Sequence, residues 1–139
     1  FSVGNRTAAV RIPQYATSEE TKRIEFRPPD ATSNIYFCLV AQLLAGLDGI
    51  ERGMESGGYG PIDEDVHKWP EEKIKKLKAL PASLDGALEG LKHDYEFLLR
   101  GEIFSQELIE SWIEYKIKRE LDPIRGMPHP YEFALCYDA

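Results

Sequence analysis

The sequence predicts an α+β fold, a short antiparallel strand pair followed by four to five α-helices, and three observations carry that prediction. Up to residue 30, apolar residues alternate with polar ones in two short runs, the period of a half-buried strand. After residue 31 they recur three and four residues apart, the period of a helix. Near the end, Pro123, Pro128 and Pro130 interrupt that pattern before a last apolar run. The 139 residues therefore read as one domain in three parts: a strand pair over 5–30, a helical part over 31–122 and a docking tail over 123–139.

The first strand is expected from Thr7 to Pro13, TAAVRIP, with Ala8, Val10 and Ile12 on one face and Arg11 on the other; Arg6 lies just before it. Gln14 to Thr21 is polar and holds Thr17-Ser18-Glu19-Glu20, a turn between antiparallel strands. The second strand, Lys22 to Arg27, sends Ile24 and Phe26 one way and Arg23, Glu25 and Arg27 the other. It stops at Pro28-Pro29, because neither proline can donate to a ladder. Burying Ile24 and Phe26 would hold the three charges on a rigid, partly shielded surface, an arrangement suited to a polyanion with a bound divalent cation. Two strands alone are marginal in water, so further strands are expected upstream or on a partner.

From Asn34 to Arg52 the apolar stripe is wide enough to predict a largely buried helix, capped by Ser33 or Asn34. Gly53 to Asp65 has no periodicity and reads as a mobile loop. Its GGYG is no phosphate loop, since no Gly-Lys-Ser/Thr follows. A short charged helix is expected from Pro70 to Leu77, its glutamates first and its lysines last, and Pro81 breaks it. Ser83 caps the next helix, which carries Leu84, Ala87, Leu88 and Leu91 on one face. A further turn from Tyr95 to Arg100 ends at Gly101. Ser105 caps the last long helix, with Leu108, Ile109, Trp112, Ile113 and Ile117 at helical spacing and Trp112 in the core. The three prolines then stop regular structure, and Tyr131 to Tyr137 is too apolar for a free tail.

Composition excludes some functions. A formal charge of -7 and a pI near 5.0 argue against a nucleic-acid or membrane-surface partner, each of which needs a basic patch. The arginines gathered at Arg6, Arg11, Arg23 and Arg27 point instead to a small anionic ligand. Cys38 and Cys136 form no CxxC pair and read as packing residues in a reduced, cytoplasmic setting. His67, His93 and His129 share no metal-ligand spacing. The apolar run from Ile35 to Leu47 falls short of the roughly 20 residues of a membrane span. With no initiator methionine, and Phe1-Ser2-Val3-Gly4 running straight into a strand, the chain reads as cut from something longer.

Five segments in this order, NRTAAVRIP, KRIEFRPPD, LLAGLDGIERG, SLDGALEGL and HPYEFALCYD, resemble the C-terminal part of bacterial type I glutamine synthetase. The resemblance covers nearly the whole chain and implies the C-terminal portion of that catalytic domain. It further implies an ATP-dependent ligase joining ammonia to the γ-carboxylate of glutamate through γ-glutamyl phosphate, with Mg or Mn as cofactor and ATP as substrate.

Carried over residue by residue, Glu25 matches a carboxylate that ligates one active-site divalent ion. Arg27 matches the arginine that contacts the glutamate substrate and the transferred phosphate. Arg6 and Arg11 match arginines on the ATP phosphates and the reacting γ-phosphoryl group, and Arg23 a nearby nucleotide-side arginine. Arg6 and Arg27 are thereby the implied catalytic pair. The residues alone equally allow a salt-bridged strand face, with Glu25 paired to Arg23 and Arg27 or across to Arg11. Two positions depart from the family pattern. Glu20 stands where a nucleotide-contacting lysine is usual, with Lys22 two residues away, and His67 stands where enteric members carry the adenylylated tyrosine.

The family's other metal ligands and its ammonia site lie upstream of the matched part, so the 139-residue piece is expected to be inactive alone. In type I enzymes two hexameric rings stack and the C-terminal segment inserts into the facing ring, which makes another copy of the chain the implied partner of the tail. Two other readings stand beside this one: a γ-glutamyl-polyamine ligase of the same fold, and a non-enzymatic assembly or binding module.

Overall fold

The computed structural model describes residues 1–137, and the chain gathers into two compact units, Phe1–Leu80 and Pro81–Ala139. The first unit carries a three-stranded sheet in the order β1 (Ser2–Val3), β2 (Val10–Ile12), β3 (Glu25–Phe26). β2 and β3 form the expected antiparallel pair, with Val10 opposite Phe26 and Arg11 opposite Glu25. Both are shorter than the alternation predicts. Pro13 cannot extend β2, and only the bond from Arg27 N to Ala9 O, 2.9 Å, continues the ladder beyond β3. β1 was not expected; it lies parallel to β2, Ser2 against Arg11 and Val3 against Ile12.

What holds β1 is the glycine-rich stretch read from sequence as a mobile loop. Ser2 is fully buried, and its Oγ donates to Asp63 Oδ1 at 2.8 Å and accepts from Asn5 N at 3.0 Å. Val3 N donates to the same Asp63 oxygen at 2.7 Å, and Ile62 N to Phe1 O at 2.9 Å. The stretch includes a 3-10 turn, Ser56–Tyr59, so the mobile-loop expectation is corrected: it is the clasp of the sheet.

α1 (Ile35–Glu51) starts where predicted, with the Asn34 side chain accepting from Tyr36 N and Phe37 N. Its burial differs from the expectation. Of the residues of α1 only Leu44 is buried, while Ile35, Tyr36, Leu39, Leu43, Leu47 and Ile50 are exposed. A wide stripe is buried only where apolar partners cover its full width, and among the described residues most of it stays open. Ile24 and Phe26, expected inside, are exposed for the same reason. α2 (Glu71–Ile74) is the short charged helix, extended to Leu77 by a turn closed from Leu77 N to Ile74 O at 2.9 Å.

In the second unit, α3 (Leu84–His93) is capped by Ser83 and α4 (Gln106–Lys116) by Ser105, as predicted; each hydroxyl accepts a backbone N–H at 3.1 Å. A 3-10 segment, Glu96–Glu102, breaks at Gly101, where φ of 69° suits glycine. Leu88, Leu98, Phe104, Ile109 and Ile113 form the core. Trp112 is half-buried at its edge and stacks on Tyr115, ring centroids 5.9 Å apart.

Pro123 does not stop the helix as expected. A π turn, Ile117–Leu121, precedes α5 (Asp122–Arg125), and Asp122 N–H reaches back five residues to Ile117 O. The wider turn loosens the ladder where Pro123 has no N–H to give and its ring crowds the preceding turn. The tail is regular too. α6 (Pro130–Cys136) begins with Pro130, because the first helical position needs no N–H, and His129 and Glu132 exchange capping hydrogen bonds across it. Tyr131, Phe133, Leu135 and Cys136 are exposed, which corrects the reading of Cys136 as a packing residue. Asp138 and Ala139, the end of the predicted tail, lie outside the described residues. Among the described residues, no helix is long and apolar enough to cross a membrane.

Candidate active-site cluster

Register builds the cluster. Arg11 and Glu25 are directly opposed on β2 and β3, and Arg27 follows Glu25 by two residues, the interval that returns a side chain to the same sheet face. Arg11 Nη1 lies 2.9 Å from each Glu25 carboxylate oxygen, and Arg11 Nε donates to Gly4 O at 3.0 Å. Arg27 Nη1 stands 3.8 Å from Glu25 Oε2, and Arg27 Nε donates to Arg6 O at 3.1 Å.

The Arg11 side chain is only 12% exposed, and the Glu25 side chain 31%. The hydrogen bond from Arg11 holds the Glu25 carboxyl below the usual carboxylate range, against partial desolvation and with help from the charges of Arg27 and Arg23. The same hydrogen bond raises the Arg11 guanidinium above its ordinary value. Glu25 is thus a fixed anion in a cationic frame.

The predicted residues are brought together unevenly. Arg11, Glu25 and Arg27 form one contiguous cluster. Arg6 adjoins it through its backbone carbonyl, its own side chain being exposed. Arg23 turns to Tyr15: its Nη2 donates to the phenol oxygen at 2.6 Å and its Cζ sits 4.9 Å from the ring centroid. Glu20 and Lys22 are exposed on the turn before β3. His67 belongs to a 3-10 turn, Val66–Lys68, tied by Asp65 Oδ1 to its backbone N–H.

Sequence reasoning missed Tyr15, whose signal was an aromatic beside an arginine-rich strand pair. It also missed a clamp in which Glu64 accepts from Trp69 Nε1 and from Lys73, whose ammonium sits 3.5 Å from the Trp69 ring centroid.

A divalent cation needs several oxygen ligands, and among the described residues no group of three or more His, Cys, Asp or Glu could hold one. Glu25, between two guanidinium groups, can furnish one corner of such a site and no more.

A family model described as glutamine synthetase, catalytic domain, matches residues 1–136. The chain belongs to that family. The glutamine synthetase of Aquifex aeolicus (strain VF5) is 47% identical over 138 residues, covering 99% of this chain and 29% of the relative. That of Microchaete diplosiphon is 44% identical with the same coverage, and that of Mycobacterium tuberculosis (strain CDC 1551 / Oshkosh) 41% identical over 99% of this chain and 28% of its own length. The chain therefore spans under a third of the curated relatives it matches.

Proposed function

We propose that this chain is the part of an ATP-dependent ligase that supplies phosphate-binding arginines and one metal carboxylate to a site forming glutamine from glutamate and ammonia through γ-glutamyl phosphate. The observation that carries the reading is the Arg11, Glu25, Arg27 cluster on adjacent strands, in a chain whose relatives bear the name glutamine synthetase. Phosphoryl transfer spreads negative charge over the oxygens of the moving group, and planar guanidinium forks held in place in advance stabilise that charge best.

Arg27, tethered at Nε and Nη1, offers its fork to the glutamate and the transferred phosphate. Arg6 and Arg11 serve the ATP phosphates and the reacting γ-phosphoryl group, and Arg23 the nucleotide side. Glu25, kept ionised by its neighbours, gives one oxygen to Mg or Mn without first losing a proton. When bound, the ion supplies the charge that neutralises phosphate oxygens, and its other ligands come from outside this cluster. The full protein works as a homo-oligomer of two stacked hexameric rings in the cytoplasm. Support comes from the exposed apolar residues of α6, which a facing ring would cover, and from Cys38 and Cys136, which are free.

ATP-dependent glutamine formation from glutamate and ammonia, with Mg or Mn, tests the reading on this chain and on the same chain extended by its native upstream coding sequence. Activity in the extended protein alone is expected. Activity in neither rejects glutamine formation in favour of the polyamine ligase or the non-enzymatic module, and activity in the short chain rejects the account of Glu25 as one ligand among several.

A further inference from the structure

Tyr15 comes two residues after Pro13, whose side chain is fully buried at the end of β2, and is itself 65% exposed, so it fills no core. What it touches is Arg23. The phenol oxygen accepts from Arg23 Nη2, the ring lies beside the guanidinium, and Thr21 O takes a second hydrogen bond from Arg23 Nη1 at 3.3 Å. Tyr15 thus holds an arginine that lies just before β3.

An exposed arginine left to itself samples many rotamers, and ordering it on a ligand costs conformational entropy. A guanidinium tethered at two nitrogens and set against a ring has already lost most of that freedom.

We propose that Tyr15 is a positioning residue for ATP binding: it holds the Arg23 guanidinium in the place from which it meets the nucleotide. The inference rests on the reading of Arg23 as a nucleotide-side arginine and goes beyond it by assigning the residue that orients it. Tyr15 itself touches no reacting atom.

Steady-state kinetics on the full-length enzyme test this with Tyr15→Ala, Tyr15→Phe, Arg23→Ala and the Tyr15→Ala/Arg23→Ala double variant. Tyr15→Ala is expected to raise KM for ATP about fivefold, leaving kcat within about twofold and KM for glutamate unchanged. Tyr15→Phe, which keeps the ring and loses the hydroxyl, is expected to raise it about twofold. In the Arg23→Ala background, Tyr15→Ala is expected to add nothing further.

Additive effects in the double variant would overturn the proposal. So would a parallel fall in kcat and in affinity for both substrates with a lowered unfolding midpoint, the mark of a merely structural role. If Arg23→Ala raises KM for ATP while Tyr15→Ala and Tyr15→Phe do not, the inference about Tyr15 fails alone. If Arg23→Ala leaves KM for ATP unchanged, the reading of Arg23 fails and the inference falls with it.

Discussion

Arg11 and Glu25 face each other across β2 and β3, and one guanidinium nitrogen, Arg11 Nη1, lies 2.9 Å from both oxygens of the carboxylate. The pair joins the two strands and sets the charge state of the carboxylate.

Its pH dependence has a definite sign. The folded pKa of Glu25 is depressed, first by the Arg11 hydrogen bond and then by the charges of Arg11, Arg27 and Arg23. The unfolded chain therefore takes up its proton first as pH falls. The stabilisation is complete above the ordinary carboxylate range and disappears as pH drops through the lower folded value. Comparing unfolding midpoints of the full-length enzyme and its Glu25→Gln variant from about pH 7 down to about pH 3 should show a gap that closes on the acid side. A gap that widens there would mean that Arg11 does not hold the carboxylate ionised.

The caps of the second unit give a stability test remote from the cluster. Ser83 Oγ and Ser105 Oγ each satisfy a first-turn N–H of α3 and α4, so Ser83→Ala and Ser105→Ala should each cost about 1 kcal/mol, and the threonine variants a few tenths. Urea unfolding with an unchanged m-value is the measurement.

Gly60 tests the clasp of the first unit. A Cβ built there would lie 2.5 Å from the Phe1 carbonyl oxygen, and the backbone φ of 151° disfavours any L side chain. Gly60→Ala is expected to destabilise by about 1–3 kcal/mol and to speed amide exchange at Val3 and Ile62, the two N–H groups of the clasp. Unchanged exchange at both would show that the stretch moves independently of β1.

The α+β class, the antiparallel pair, both serine caps and the opposition of Arg11 to Glu25 as one pairing option were legible because each rests on a local period or a fixed offset. β1 was not, since two residues display no alternation; its place is set by Ser2 and Val3 meeting Asp63, about 60 residues away. The stripe on α1 was visible, but a stripe reports an apolar face and not what covers it. Pro123 and Pro130 were read as breakers. One is absorbed by a π turn and the other sits where a helix begins, and both outcomes depend on neighbours that a single residue does not announce. Arg23 meeting Tyr15, and Glu64 gathering Trp69 and Lys73, are contacts made through turns, where spacing carries no period.

The most direct test of the cluster's role is turnover of the full-length enzyme carrying Glu25→Ala or Arg27→Ala, measured as ATP-dependent glutamine formation alongside the oligomeric state in solution. On the proposed function, each change should lower kcat/KM by about a hundredfold or more while assembly persists, because each removes charge from the proposed site of phosphoryl transfer without touching α6. Turnover within about threefold of the unsubstituted protein, with both variants folded and assembled, would contradict the account and leave Arg11, Glu25 and Arg27 as a structural ion cluster on a strand face.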